Sequence, residues 1–341
     1  MRIEPDRSVL GGLAIRRLVR LQLTDGPSPV SMDLMIHLPA GGGRHPAFLG
    51  LNFWGNHAAV HDLDMPLPQS WFRDDVELGF VGNRATEKSR GVTAGALPLD
   101  VILARGYAAI TIYYGDIEPD HAEGWKDGVR GRLLAAAGRS SFAADDWGAV
   151  AAWAWGLRCA VDYLQTESDI DAGRLAVFGH SRLGKAALWA GAQDERVALT
   201  ISNNSGEGGA ALTRRCFGET VELITSNFPH WFCANFRGYA GREGELPVDQ
   251  HELVSLLAPR PAYIASAAED RWADPRGEFL SGVGAQRVYR LLGCEGLGTD
   301  QMPPANQPIG QTVGYHIRSG GHALTRYDWE RYLDFADRHL R

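Results

Sequence analysis

The sequence predicts an α/β protein whose mostly parallel sheet has an antiparallel start and is covered by helices on both faces. Short apolar runs rich in β-branched residues recur along the chain, as in strands that are buried on both faces. From about residue 98 onward these runs alternate with helix-like segments, which is the order of βα units. The first runs follow one another with no helix between them, and this favours antiparallel pairing at the start.

The individual elements follow from these runs. Eight strands are predicted, at Ile15–Leu23, Met32–Leu38, Ala47–Asn52, Ala108–Tyr113, Leu175–Gly179, Leu199–Asn203, Ala262–Ala267 and Val313–Ile317. Five helices are predicted, at Pro98–Ala104, Asp146–Gln165, Arg182–Gln193, Gly277–Leu291 and Tyr327–Arg338. Loop insertions rich in Gly, Pro and Trp are expected near 53–97 and 204–257, at the carboxyl edge of the sheet. Because the sequence has no evident linker or repeat, a single domain spanning 1–341 is predicted.

Composition excludes several classes of function. The chain has 341 residues and a formal net charge of −7, with acidic and basic residues interspersed. It therefore offers no basic face for a nucleic acid. No apolar run approaches ~20 residues, so no membrane span is expected. The first residues do not form a secretion signal, so the chain is either cytoplasmic or a trimmed mature form of a secreted or periplasmic protein. We expect a monomer.

The four cysteines are scattered and form no C-x-x-C pair. We therefore expect buried free thiols. A bridge between Cys216 and Cys233 stays open as an alternative, because both lie in a loop-rich region. Histidines and acidic residues do not fall at metal-ligand spacings, and no glycine-rich phosphate loop is present. No metal or cofactor is therefore expected.

A serine at the end of a predicted strand is the most informative feature. The stretch L-A-V-F-G-H-S-R-L-G-K reads as a strand, a sharp turn and a helix, with Ser181 at the turn. Such a turn exposes the hydroxyl and leaves N–H groups of a helix start free to meet developing negative charge. The spelling departs from G-x-S-x-G, because Gly184 stands three residues after the serine. The segment is a candidate nucleophile elbow.

A serine nucleophile needs a base and an acid that orients the base. His322 follows the last predicted strand in a glycine-rich loop and is the candidate base. The candidate acid is Asp270, after the preceding strand, with Glu269 and Asp274 as competitors. Taken alone, the serine and the acids could be helix caps and the histidine an ordinary loop residue. Together they follow the order of the α/β-hydrolases, each at the carboxyl end of a predicted strand. We therefore expect the three-layer α/β-hydrolase fold.

Most of the chain resembles the glucuronoyl esterases, carbohydrate esterases of family 15 that cleave esters of 4-O-methyl-glucuronic acid linking xylan to lignin alcohols. The S-R-x-G-K elbow together with W-A-D-P is the most specific part of the resemblance. The segments that carry it are N-F-W-G-N-H at 52–57, N-R-A-T-E at 83–87, Y-Y-G-D-I at 113–117, S-R-L-G-K at 181–185, N-S-G-E-G-G at 204–209, F-G-E at 217–219, F-P-H-W-F at 228–232, D-Q-H-E at 249–252 and E-D-R-W-A-D-P at 269–275.

The resemblance implies a role for each matching residue. Ser181 would be the nucleophile and His322 the base. Some members take the triad acid from the position that Asn204 occupies here, and an amide cannot supply that charge. The acid would then be Asp270, with Glu207 as a weaker alternative. Arg182 would stabilise the oxyanion.

Three further residues match positions that contact the sugar in the family: Lys185, Glu219 and Trp272. Lys185 would bind uronate hydroxyls, and an indole such as that of Trp272 offers a pyranose an apolar face and an N–H donor. For Trp231, core packing is as well supported as ligand contact. One departure is His180, where fungal members have a disulfide-bonded cysteine.

The sequence thus predicts a serine esterase that hydrolyses (4-O-methyl-)glucuronic acid esters, with glucuronoxylan or a lignin–carbohydrate ester as substrate. An esterase of the same fold that acts on acetylated xylan or another carboxylic ester is the first alternative, since fold-level similarity does not separate the two. A non-catalytic carbohydrate-binding protein is the alternative from another class. A peptidase is disfavoured, because this length leaves no room for a separate lid or propeller domain.

Overall fold

The computed structural model describes residues 1–341. Its backbone divides into two compact units, which are described separately. The first contains Met1–Phe142 and Trp155–Ala172, and the second contains Ala143–Ala154 and Gly173–Arg341. The single-domain organisation stays a prediction.

The strands and helices alternate along most of the chain. The strands are β1 (Arg7–Val9), β2 (Ala14–Gln22), β3 (Ser31–Pro39), β4 (His45–Asn52), β5 (Phe80–Val81), β6 (Arg84–Ala85), β7 (Ala108–Tyr113), β8 (Ile170–His180), β9 (Leu199–Asn203), β10 (Ala262–Ala267), β11 (Ile309–Gly310) and β12 (Val313–Arg318). The helices are α1 (Leu99–Ala104), α2 (Tyr114–Ile117), α3 (Val129–Ala136), α4 (Ala149–Leu164), α5 (Arg182–Gln193), α6 (Val221–Asn227), α7 (Ala234–Arg237), α8 (Gln250–Ser255), α9 (Pro275–Leu291) and α10 (Arg326–His339).

The first unit contains the antiparallel start that the sequence predicts. Strand β2 pairs antiparallel with β1 and β3, and β3 pairs antiparallel with β7. Strand β4 then pairs parallel with β7. Leu34 and Ile112, directly opposite each other in the β3–β7 pair, are both fully buried, as expected for continuous apolar strands.

The second unit contains the parallel strands that hold the candidate site residues. Strands β8, β9, β10 and β12 pair in that order, all parallel, and β11 adds an antiparallel edge. Successive side chains of a strand point to opposite faces. On β10, Ile264 belongs to a core that includes Phe279 of α9, whereas Tyr263 packs against Phe335 of α10. Helices therefore cover both faces, as predicted.

The predicted strands and helices are confirmed, with ends within three residues of the prediction except at β8, which begins at Ile170 rather than Leu175. The helix expected from Asp146 begins at Ala149, and the one expected from Gly277 begins at Pro275. The segment 53–97 contains the β5–β6 hairpin and two short 3₁₀ helices. The segment 204–257 contains three short α-helices and two 3₁₀ helices.

The cysteines correct one expectation in part. All four are free, and no bridge joins Cys216 to Cys233. Cys216 is exposed, and the other three are half-buried. The prediction of free thiols is therefore confirmed, whereas full burial is wrong for all four and most clearly for Cys216. None of the helices combines the length and the apolar character that a membrane span requires.

Candidate active site

Ser181 occupies the strained turn that a nucleophile elbow requires. It joins β8 to α5 with φ 56° and ψ −130°, a conformation that non-glycine residues rarely adopt. Its backbone N–H donates to the carbonyl of Asn203 at 2.8 Å. This bond ties the turn to the end of the neighbouring strand β9.

Two glycines let the strand and the helix approach closely enough to form this turn. A Cβ at Gly179 would lie 2.0 Å from the carbonyl oxygen of Leu183, which no real structure allows. A Cβ at Gly184 would lie 3.0 Å from the Cβ of Ser205 and 3.1 Å from the carbonyl oxygen of Gly179. Close packing at residue 184 therefore accounts for the glycine that stands three residues after the serine.

The structure brings His322 and Asp270 together. His322 Nδ1 lies 2.6 Å from Asp270 Oδ2, and Asn204 Nδ2 donates to the same oxygen at 2.7 Å. Burial would raise the pKa of Asp270, but the hydrogen bonds from His322, Asn204 and the Ala273 backbone outweigh it and hold that pKa below its ordinary value. Asp270 is therefore a carboxylate that accepts a proton-bearing Nδ1, which leaves Nε2 of His322 as a proton acceptor.

The competing acids have other partners. Glu207 Oε1 accepts a hydrogen bond from Thr213 Oγ1 at 2.6 Å, and burial raises the pKa of Glu207 to about 7. Asp274 accepts a hydrogen bond from Arg215 Nε at 2.7 Å. Glu269 is exposed to solvent. Among the acids considered, only Asp270 is hydrogen-bonded to His322.

The structure contains no hydrogen bond between the hydroxyl of Ser181 and His322. Catalytic hydrogen bonds are often long without substrate and tighten in the Michaelis complex. The ring of His180, the residue before Ser181, lies 4.5 Å from the ring of His322 between centroids, so the loop that carries the candidate base lies beside the turn that carries Ser181.

Arg182 lies over an aromatic pair. Its guanidinium carbon is 4.7 Å from the ring centroid of Trp231 and 5.4 Å from that of Phe228. Those two rings are stacked, with centroids 3.8 Å apart, and Trp231 is buried. A guanidinium held on aromatic faces is attracted to them and loses little freedom when it binds an anion. Trp231 therefore supports Arg182 from within the core.

Lys185 and Glu219 form a buried pair. Lys185 Nζ donates to the carbonyl of Ser205 at 2.5 Å and lies 3.9 Å from Glu219 Oε2. Burial lowers the pKa of Lys185, although the nearby carboxylates of Glu219 and Glu207 oppose that shift. The indole of Trp272 is 50% exposed, and its carbonyl accepts the backbone N–H of Glu219 at 3.0 Å. The backbone thus joins two of the three predicted sugar-contacting residues.

His180 does not serve as the base in this arrangement. Its Nδ1 lies 2.6 Å from Asn203 Oδ1, and its side chain is buried. Burial, reinforced by the neighbouring His322, lowers the pKa of His180 to about 4. A histidine that stays neutral across the physiological range fills this position without competing for the proton of Ser181.

Sequence reasoning missed Glu278. This fully buried residue of α9 accepts the N–H groups of Ser205 and Gly206 at Oε1, at 2.7 and 3.1 Å, and the hydroxyl of Ser266 at Oε2. Burial raises the pKa of Glu278 to about 7. The hydrogen bonds from Ser205 and Gly206 to Glu278 fix the loop that begins at Asn204. The available signal was an acid on the buried stripe of a helix whose other members, apart from Gln286, are small or aromatic.

The whole chain is similar to characterised carbohydrate esterases. It is 49% identical over 332 residues to the carbohydrate esterase MZ0003 of an unknown prokaryotic organism, covering 97% of this chain and 76% of that protein. The sequence profile described as "Glucuronyl esterase, fungi" matches residues 140–293, which include the elbow and Asp270. The chain belongs to the glucuronoyl esterase family.

Solved structures of this family share the fold. A glucuronoyl esterase from Solibacter usitatus superimposes with a TM-score of 0.94 at 46% identity, covering 100% of this chain and 86% of that one. A structure described as a promiscuous esterase of the same carbohydrate esterase family, from a marine bacterial metagenome, gives 0.93 at 48% identity, covering 100% and 85%. The α/β-hydrolase fold and the class of carboxylic ester hydrolase predicted from the sequence are therefore confirmed for this glucuronoyl esterase family member.

Proposed function

We propose that this chain hydrolyses esters of (4-O-methyl-)glucuronic acid through an acyl-enzyme on Ser181. The observation that supports this best is the 2.6 Å hydrogen bond between His322 and Asp270, in a chain whose Ser181 stands at a strained strand–helix turn. A fungal relative, the 4-O-methyl-glucuronoyl methylesterase 1 of Wolfiporia cocos, is 38% identical over 156 residues, 42% of this chain and 38% of that protein. The name of that relative supports the same acyl group here.

The first half of the reaction forms the acyl-enzyme. Nε2 of His322 takes the proton of the Ser181 hydroxyl as the oxygen attacks the C6 carbonyl of the uronate. The carboxylate of Asp270 keeps the proton on Nδ1 and stabilises the imidazolium. The imidazolium then gives its proton to the departing alcohol as the tetrahedral intermediate collapses. In the second half, His322 activates water in the same way, and glucuronate is released from Ser181.

The oxyanion is stabilised at the start of α5. The backbone N–H of Arg182, the residue after the nucleophile, is the donor that this fold uses. The guanidinium of Arg182 supplies a second, charge-assisted donor that the rings of Trp231 and Phe228 hold in place. Because those rings fix the cation before substrate arrives, little reorganisation is needed when negative charge develops on the carbonyl oxygen.

The acyl side of the substrate is recognised by Lys185, Glu219 and Trp272. An ammonium group has three donors, and Lys185 gives one of them to the Ser205 carbonyl. The carboxylate of Glu219 accepts a sugar hydroxyl beside it. The half-exposed indole of Trp272 offers the apolar ring face that pyranoses stack on. The natural substrate proposed is an ester in glucuronoxylan or a lignin–carbohydrate complex.

Hydrolysis of a wider range of carboxylic esters is a second candidate function. The relative whose structure is described as promiscuous is 48% identical to this chain. This similarity favours the wider substrate range. Such an enzyme would use the same triad and differ only in how strongly the acyl pocket selects uronates.

The test compares two esters that release the same alcohol, benzyl glucuronate and benzyl acetate. Each is assayed with the wild type and with Ser181→Ala. We expect kcat/KM for the glucuronate to exceed that for the acetate, and the variant to lose both activities. Activity on the acetate alone would retain the triad and reject the uronate assignment. Full glucuronate hydrolysis by Ser181→Ala would reject the proposed nucleophile.

A further inference from the structure

We propose that Asp328 is a positioning residue that holds the base loop and the nucleophile turn in one arrangement. The base loop is the segment 319–325, which carries His322 between β12 and α10. The nucleophile turn is the segment 180–182 around Ser181. The inference rests on the proposed function, because it assigns a role in positioning those two residues.

Arg318 connects Asp328 to the base loop. Its guanidinium donates to the carbonyls of Ser319 at 2.9 Å, Gly321 at 2.8 Å and Ala323 at 2.6 Å. Two of those carbonyls flank His322 directly. The loop contains two adjacent glycines, one of them with φ +94°, so its own sequence does little to restrict its backbone. One buried guanidinium therefore fixes the backbone on both sides of the base.

Asp328 in turn fixes Arg318. It is fully buried, and its Oδ2 accepts Arg318 Nε at 3.0 Å. The same oxygen accepts the backbone N–H and the hydroxyl of Thr325 at 2.7 and 2.6 Å. Burial opposes ionisation of Asp328, but the donors of His316, Thr325 and Arg318 outweigh it and lower its pKa. Asp328 is therefore a carboxylate at the centre of a polar network.

The other oxygen of Asp328 is directed toward the nucleophile turn. Oδ1 accepts Asn203 Nδ2 at 3.2 Å, and Asn203 Oδ1 contacts His180 Nδ1 at 2.6 Å. The carbonyl of Asn203 accepts the N–H of Ser181 at 2.8 Å. Asn203 thus holds the nucleophile turn by its side chain and by its backbone. Asp328 orients that amide together with the Tyr332 hydroxyl, which accepts the same Nδ2 at 2.7 Å.

A helix cap explains only part of this arrangement. Asp328 and Thr325 form a capping box at the start of α10, which would satisfy Oδ2 alone. It does not account for Oδ1, which also accepts His316 Nε2 at 2.9 Å. Nor does it account for the complete burial of the carboxylate, since capping side chains normally stand at the surface. Besides the contact with His316 of β12, the remaining contacts are with Asn203 and Arg318, which bind the nucleophile turn and the base loop.

The network predicts an effect on turnover rather than on substrate binding. None of its members is among the residues proposed to contact the sugar. A misplacement of reacting groups by about 1 Å can cost about 10²-fold in rate. For Asp328→Asn, we expect kcat on benzyl glucuronate to fall about 10- to 100-fold while KM changes by less than about threefold.

A matched control separates positioning from loss of stability. Asp194 is another buried carboxylate paired with an arginine, Arg196, at 2.7 Å. It follows the far end of α5, about 20 Å along that helix from Ser181. Asp328→Asn and the control variant Asp194→Asn are assayed at a temperature at which circular dichroism shows them folded. Asp194→Asn should keep kcat within about twofold. Arg318→Lys keeps the charge but loses the planar fork, so its kcat should fall about 10-fold.

The outcomes decide between the two readings. A folded Asp328→Asn enzyme with wild-type kcat, or one that loses no more activity than Asp194→Asn, would overturn the proposal. If Asp328→Asn does not fold, Arg318→Lys decides by the same comparison. Ser181→Ala is assayed alongside. If that variant stays active, the proposed function fails; if it is inactive while Asp328→Asn is fully active, only the positioning role fails.

Discussion

Replacing Asp270 with Asn is the change that isolates the charge of the proposed triad acid. The amide has the same shape as the carboxylate. With its oxygen at the place of Oδ2 it can still accept from His322 and Asn204, which donate there at 2.6 and 2.7 Å. In that orientation the amide oxygen keeps the proton of His322 on Nδ1, whereas the reverse orientation would impose the wrong tautomer and lower the rate further. What is lost is the negative charge beside the imidazolium that forms when Ser181 gives up its proton.

The size of that loss follows from the separation of the charges. Two unit charges about 4 Å apart attract by about 4 kcal/mol at an effective dielectric constant of about 20. That dielectric suits a pair in which the Asp270 side chain is 4% exposed and that of His322 is 43% exposed. Because about 1.36 kcal/mol corresponds to a tenfold change in rate, and solvent reduces the attraction further, kcat should fall about 10²- to 10³-fold.

The assay is steady-state release of benzyl alcohol from benzyl glucuronate, with Glu207→Gln as the matched comparison. Glutamine at 207 can still accept the hydrogen bond of Thr213, so that variant should keep kcat within about fivefold. The opposite pattern, with Asp270→Asn near wild type and Glu207→Gln inactive, would refute the assignment of the acid.

Three further predictions follow from the site. Ser181→Gly should unfold at a higher temperature than Ser181→Ala, because glycine adopts φ 56° without strain; equal melting temperatures would contradict a strained turn. The pKa of Glu278 is about 7, above its ordinary value of 4.5, so its ionisation costs stability as pH rises from about 4.5 to 7. Glu278→Gln should therefore show a smaller fall in melting temperature between pH 5 and pH 8 than wild type, and an unchanged fall would count against a neutral Glu278 at low pH. Trp272→Ala should lower kcat/KM for benzyl glucuronate about 10-fold and leave benzyl acetate unchanged, whereas equal losses on both esters would exclude a sugar-stacking role.

Much of the fold could be predicted from the sequence because its strands are continuous apolar runs. Strand β10, for example, was expected at Ala262–Ala267 and has those bounds. The pairing of His322 with Asp270 was also predictable, since both follow neighbouring parallel strands and therefore meet at one edge of the sheet.

The supporting residues were not predictable in the same way. Glu278 and Asp328 lie on helices, where an acid usually faces solvent, and their burial depends on donors from distant parts of the chain. The partners of Asp328 include Asn203, 125 positions earlier. Lys185 gives a second example: the resemblance predicted sugar contact, and the structure adds a hydrogen bond to the Ser205 carbonyl that no local pattern encodes.

The measurement that tests the central claim most directly is the detection of the acyl-enzyme. Wild type mixed with excess benzyl glucuronate is quenched in acid at short times, digested, and analysed by mass spectrometry. We expect one glucuronoyl group on the peptide that contains Ser181 in the wild type, and neither that group nor turnover in Ser181→Ala. A glucuronoyl group on a different residue, or benzyl glucuronate hydrolysis by Ser181→Ala at the wild-type rate, would contradict it.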